Sequence, residues 1–161
     1  MDLNSGEYKM KILDVLSKDN IIINLKAKDK KGVLDELSKP VAQSTGTSHE
    51  DLFKVLMERE RLGSTGIGGG IGIPHGKLKN LKELTLGFGL SREGVDFESM
   101  DSRPTHIFFL LLTPESSAGL HLKLLARISR LLKNEDFKQR LMRSEDSQEI
   151  ISAISEQDED F

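Results

Sequence analysis

Apolar residues fall into two periods along this chain, one of helices and one of strands. Residues 10–17 suggest a short helix, and residues 20–25 hold the β-branched run Ile21-Ile22-Ile23, which predicts a strand. Val33, Leu34, Leu37 and Val41 then recur at helical spacing behind Asp29, a capping carboxylate. That helix is expected to end near Ser44, with Pro40 kinking or interrupting its last turn. Ser48-His49-Glu50-Asp51 reads as a capping box that opens a helix to about Leu62, with Leu52, Val55 and Leu56 as its buried stripe. Residues 84–90 alternate apolar with small side chains, the period of a strand with one face buried and the other left bare by Gly87 and Gly89. Residues 107–112 form an unbroken apolar run between Pro104 and Pro114, as suits a central strand covered on both faces. The strongest helix spans 118–133, with Leu125, Ile128 and Leu132 on one stripe. Two short helices, at 136–142 and 147–155, precede an acidic tail, 156–160, that is expected to fray.

Helices and strands thus alternate without a repeat or a long linker. The pattern predicts an α/β fold: a single domain, 1–161 with its core at about 8–156, built on a mixed, largely parallel β-sheet flanked by helices on both faces. A length of 161 residues suits one such core. The formal net charge is only -3, so no global basic field draws the chain to nucleic acid. There is no cysteine, which removes disulfides, thiol catalysis and thiolate-bound zinc together. The first residues lack the basic flank and apolar run of a signal peptide, and no run is long enough to span a bilayer, so a soluble cytoplasmic protein is expected.

Chemistry concentrates in Gly63-Ser64-Thr65-Gly66-Ile67-Gly68-Gly69-Gly70-Ile71-Gly72-Ile73-Pro74-His75-Gly76-Lys77. Six glycines precede the histidine and one follows it, so the backbone can approach another surface closely around one imidazole. Such a histidine can titrate near neutrality, bind a metal or accept a phosphoryl group while neutral. The segment is not a Walker loop, since Gly70 to Gly76-Lys77 has one residue too many and Leu78 replaces the hydroxyl. Nor is it a dinucleotide fingerprint, because Ile71 and His75 occupy the third required positions. Two further residues stand on apolar stripes where charge is unexpected: Arg59, four after Val55, and His121, four before Leu125. A zinc site gathering His75 and His121 lacks a local ligand pair and is the weakest reading. His49 and His106 read as structural.

These residues together resemble the fructose/mannitol-type enzyme IIA domains of the bacterial sugar phosphotransferase system, including the stand-alone nitrogen-regulatory enzyme IIA. The resemblance rests on Arg59-Glu60 before Gly63-Ser64-Thr65-Gly66-Ile67-Gly68, on Ile73-Pro74-His75-Gly76, on Asp96-Phe97, and on Gly119-Leu120-His121-Leu122. It implies that His75 is the phosphoryl acceptor, at the tele nitrogen, and that the donor is the phosphocarrier HPr. It also implies that His121 and Arg59 stabilise the phosphoryl group, with the Ser64 and Thr65 hydroxyls as further contacts and no metal or cofactor. Gly70, Gly72 and Gly76 would form a docking loop low enough for in-line transfer from a partner. Two roles fit: a phosphorylation-dependent regulator of partner proteins, or a sugar-transport component that passes the group to an enzyme IIB. Pro-His-Gly-Lys and the lack of a fused IIB or membrane domain favour the regulator.

Overall fold

The computed structural model describes residues 10–159. After a 3-10 turn at Ile12–Asp14, the elements run β1 (Leu16–Ile22), α1 (Lys30–Thr45), α2 (His49–Arg61), β2 (Gly66–Gly68), β3 (Ile71–Gly72), β4 (His75–Leu78), β5 (Thr85–Val95), β6 (Thr105–Pro114), α3 (Ala118–Leu131), α4 (Glu135–Arg143) and α5 (Ser147–Asp158). Local chemistry sets the helix starts. Asp29 accepts the Gly32 N–H ahead of α1, Ser48 accepts that of Asp51 ahead of α2, and Asn134 and Asp146 do the same for α4 and α5. Pro40 sits inside α1 without ending it, and Gly46, at φ 73°, supplies the left-handed stop that a side chain would resist.

The strands form one sheet in the order β1-β5-β6-β3-β2, with β4 also on β6. The β1·β5, β3·β6 and β4·β6 ladders are parallel, whereas β5·β6 and β2·β3 are antiparallel. The sheet is therefore mixed and mostly parallel, as the sequence predicts. β6 lies at its centre: β5 covers one edge, and β3 and then β4 share the other. Its side chains alternate between two cores. Ile107, Phe109 and Leu111 join a cluster with Ile128, Phe137 and Ile154 of α3, α4 and α5, while Phe108, Leu110 and Leu112 join Leu34, Leu37, Leu52 and Leu56 of α1 and α2. Helices thus cover both faces. No helix among the described residues is long and apolar enough to cross a membrane.

Four expectations need correction. The helix read at 10–17 shrinks to the 3-10 turn, and β1 starts at Leu16 rather than near residue 20. Its exposed Ser17-Lys18-Asp19 belongs to an edge strand, where polar side chains are tolerated, so apolarity gives no sign of it. β5 is not bare on one side. A Cβ at Gly87 would stand 3.0 Å from Val41, and one at Gly89 2.7 Å from Leu37 and 2.8 Å from Leu25, so these glycines let α1 and the Leu25 segment lie directly on the strand. On α3 and just past its end His121, Ile128 and Leu132 are buried as expected, but Leu125 is only partly buried, and Leu124 and Leu131 widen the stripe. Finally, the acidic tail does not fray through Asp158. That carboxylate is 2% exposed, accepts the Ile12 N–H at 2.7 Å and pairs with Arg127 Nε at 2.6 Å.

Removal of the buried Asp158 carboxylate leaves the Ile12 N–H without its acceptor and takes one partner from Arg127. Asp158→Ala is therefore expected to lower stability by about 3 kcal/mol in urea unfolding, whereas a frayed tail would give a change within about 0.5 kcal/mol.

Candidate functional site

Three elements converge on one cleft. His75 opens β4, where its backbone opposes Leu111 of β6 and the preceding Pro74 carbonyl accepts the Leu111 N–H at 2.9 Å. His121 lies in the first turn of α3, and Arg59 in the last turn of α2. The cleft measures about 500 Å3 and is lined by Val55, Glu58, Arg59, Leu62, His75, Gly76, Lys77, His121 and Leu122. His75, His121 and Arg59, each singled out in the sequence, are thus brought together. The two imidazoles meet edge to face, with centroids 5.2 Å apart and planes at 63°.

The hydrogen bonds decide which nitrogen is free. Nδ1 of His75 lies 2.8 Å from the Ile73 carbonyl oxygen. A carbonyl only accepts, so Nδ1 carries the hydrogen and Nε2 keeps its lone pair. His121 is buried, with Nδ1 2.6 Å from the Thr113 hydroxyl of β6. Arg59 extends back along its own chain, donating from Nη1 to the Gly63 carbonyl at 2.9 Å.

Both rings are held below the ordinary imidazole value of 6.5. For His75 burial is the main cause; the Ile73 carbonyl opposes it, the Arg59 guanidinium adds to it, and the Glu60 carboxylate opposes it more weakly. For His121 burial again leads, followed by the fields of His75 and Lys77. Both imidazoles are therefore neutral at pH 7, and His75 holds a nucleophilic nitrogen without needing a base.

The glycine-rich segment does something other than expected. Gly68, Gly69 and Gly70 have φ of 95°, 67° and 81° and form the turn between β2 and β3. That turn is clamped, Gly69 N–H by Asp101 at 3.0 Å and Gly69 carbonyl by Lys138 Nζ at 3.1 Å. Gly72 is buried, where a Cβ would stand 3.2 Å from Phe108 and Thr105. Of the three glycines expected in a docking loop, only Gly76 lines the cleft. The close approach it permits is internal: a Cβ there would stand 2.6 Å from Val55 Cγ1, so the missing side chain lets α2 reach β4. Ser64 and Thr65 also depart from the expected phosphoryl contacts. The Ser64 hydroxyl donates to the Phe97 carbonyl at 2.9 Å, the Thr65 hydroxyl donates to Glu60, and neither residue lines the cleft. His106 donates from Nδ1 to the Ser91 carbonyl at 2.8 Å, and His49 lies by Asp35, both in structural settings. Among the described residues there is no group of three or more His, Cys, Asp or Glu that could hold a metal ion.

The sequence reading also missed residues of the site. Glu60 is buried four residues after Leu56, on the stripe Leu52-Leu56-Glu60, and that spacing was available as a signal. Leu62 and Leu122, 84% and 66% exposed, line the cleft; Leu122 adjoins His121 in sequence, whereas Leu62 lies three residues after Arg59.

Against this geometry, comparison with known proteins is decisive. Residues 14–157 match the family described as phosphoenolpyruvate-dependent sugar phosphotransferase system, EIIA 2. The chain belongs to that family. Its EIIA relatives include a nitrogen regulatory protein of Bradyrhizobium diazoefficiens, 42% identical over 146 residues that cover 91% of this chain and 95% of the relative. The fructose-specific EIIABC component of Bacillus subtilis is 36% identical over 150 residues, 92% of this chain but 24% of that longer protein. Among solved structures, nitrogen regulatory protein IIA-Ntr of Neisseria meningitidis superposes with a TM-score of 0.83 at 31% identity, over 88% of this chain and 97% of that one. Regulatory and sugar-specific EIIA proteins are thus both represented among its relatives.

Two expectations follow from the packing and the titration of this EIIA site. Val55 is β-branched and stiff, so Gly76→Ala should push α2 off β4 and cost about 1–3 kcal/mol. Adding Val55→Ala should recover most of that loss in the same unfolding assay. The histidines, whose folded values lie below 6.5, are less easily protonated folded than unfolded. Their contribution to stability is therefore complete above about 6.5 and is lost as pH falls from there toward the folded values. Unfolding free energy measured from pH 7.5 to 5 should fall through that window, and less steeply in His121→Asn.

Proposed function

We propose that this EIIA domain carries a phosphoryl group on His75 Nε2, received from an HPr-type phosphohistidine, and acts as a regulator whose protein partners distinguish its two forms. The observation that supports this most directly is the Nδ1–H bond from His75 to the Ile73 carbonyl, which leaves Nε2 as the lone-pair nitrogen in the cleft. In the transfer, the donor's N–P bond breaks as the Nε2–P bond forms, and the Nδ1 hydrogen stays in place. Positive charge gathers on the ring as the new bond forms, and the Ile73 carbonyl dipole offsets it. The transition state is loose and its charge is spread over the phosphoryl oxygens, so the protein's task is alignment and electrostatic stabilisation. Arg59 has donors beyond the one given to Gly63, and it and His121 share the cleft with Nε2. Both sides of the exchange are phosphohistidines, which makes transfer close to isoenergetic and reversible.

The exposed Leu62 and Leu122 suit a protein donor rather than a small molecule, since burying such side chains contributes about 1.5–3 kcal/mol each. The nitrogen-regulatory relatives favour the regulator. A partner that prefers one form must, by linkage, shift the phosphorylation equilibrium as well.

Incubation with phosphoenolpyruvate, enzyme I and HPr, followed by intact mass, should add one acid-labile phosphoryl group to the native chain and none to His75→Ala. A regulator should then hold that group in the presence of an enzyme IIB and bind its target with different affinity in the two forms. Rapid discharge to an enzyme IIB, with equal target binding, would instead identify a sugar-transport component.

A further inference from the structure

Glu60 takes no direct part in that transfer, yet it is one of the few charged side chains sealed inside the fold. It is 2% exposed and holds three partners: Thr65 N–H at 3.0 Å, the Thr65 hydroxyl, and Lys30 Nζ at 3.0 Å. Lys30 is itself nearly buried and lies 5.1 Å over the Phe97 ring, with Glu98 3.7 Å away on its solvent side. A buried carboxylate of this kind is stable only when so paired, and well-packed apolar residues in its place would usually do as well. Packing alone does not account for it. Leu52 and Leu56 fill the same stripe without charge.

What the carboxylate fixes is the turn that follows α2. The Thr65 carbonyl accepts the Ile73 N–H at 3.0 Å, and the Ile73 carbonyl accepts the His75 Nδ1–H at 2.8 Å. Within the same turn, Gly63 donates its N–H to the Glu60 carbonyl at 3.1 Å, and its own carbonyl holds Arg59 Nη1 at 2.9 Å. Gly63 has φ 145°, a conformation that residues with a side chain rarely adopt, so the turn needs glycine at this point. The carboxylate therefore anchors Thr65, on whose segment His75 leans, while Gly63, two residues before it, is tied to the Glu60 main chain and holds Arg59.

We propose that Glu60 is a positioning residue for the phosphoryl site: by locking Thr65 it holds the Ile73 carbonyl where that oxygen selects the Nδ1–H tautomer of His75, and its main-chain carbonyl holds Gly63 where it orients Arg59. The inference rests on the reading that His75 Nε2 is the acceptor. A neutral imidazole has two tautomers, and the bond made by one nitrogen decides whether the other is a donor or a nucleophile. If the Ile73 carbonyl drifts, Nε2 can take the hydrogen and lose its lone pair. Such a device places the acceptor's reactivity under control of a residue that touches neither the donor nor the phosphoryl group.

The test reads the tautomer directly, by nitrogen-15 NMR of the His75 ring in the unphosphorylated chain above pH 7, beside single-turnover uptake from phospho-HPr. The native ring should carry its hydrogen on Nδ1. Glu60→Gln should raise the Nε2–H form to a comparable population and slow uptake by roughly tenfold to a hundredfold. Because this variant strands the Lys30 ammonium, Lys30→Met/Glu60→Gln is measured in parallel; it keeps the core neutral and should show the same tautomer shift with a native circular dichroism spectrum. An unchanged tautomer in the folded double variant overturns the proposal, even if uptake or stability falls. A native ring already in the Nε2–H form overturns it too. The tautomer is measured without phosphate, so a native chain that accepts no phosphoryl group would refute the acceptor reading and leave the positioning link to be judged by the ring alone.

Discussion

The pairing of β4 with β6 is the constraint on which the site depends. β6 is a backbone rail, fixed along one edge by β5 and buried on both faces by the two helical layers. His75 is placed by its register against Leu111, and two residues further on Thr113 lies opposite Lys77 and bonds the His121 ring. Both imidazoles are thus located by one strand. Pro74, which has no N–H to offer, divides the short β3 from β4 and turns its carbonyl to Leu111. The mutual distance of the rings is therefore set by the backbone ladder between β4 and β6 together with the side-chain hydrogen bond from Thr113 to His121.

Around that rail the charges oppose one another in a useful way. Burial and the Arg59 guanidinium disfavour a protonated His75, while the Ile73 carbonyl and the Glu60 carboxylate favour it. The depressing influences prevail, which keeps the ring neutral and nucleophilic. The favouring ones remain in place to receive positive charge when the ring acquires it. The same Arg59 that suppresses protonation is held by Gly63 rather than by an acidic partner, so part of its hydrogen-bonding capacity is uncommitted to protein carboxylates.

Much of this was legible in the chain. The apolar run of β6 announced a central strand, because burial on both faces leaves no position for polar residues. The helix caps at Asp29 and Ser48 were readable from residue type alone. Misplaced polarity on apolar stripes flagged Arg59 and His121, and the family motifs joined them to His75. What remained hidden was decided by contacts distant in sequence. Gly87 and Gly89 look bare until α1 and Leu25 are laid over them. The Thr65 hydroxyl could have faced either way, and only the buried Glu60 turns it inward. The glycine cluster looked like a surface for a partner, but most of it serves a tight turn and close contacts within the sheet, a distinction that glycine content cannot make. The tail's composition suggested solvent, whereas the single carboxylate of Asp158 found the Ile12 amide and Arg127.

That last clasp ties together two residues 146 positions apart in the chain. Contacts so distant in sequence are costly to close early in folding. α5 also packs on β1 and on the turn before it, so a chain still being synthesised has an uncovered apolar strand face and an unpaired buried amide until α5 has formed. Within this domain β1 is thus among the last elements to become secure. Completion of the domain is timed by its far end, a kinetic ordering that no local propensity along β1 would reveal.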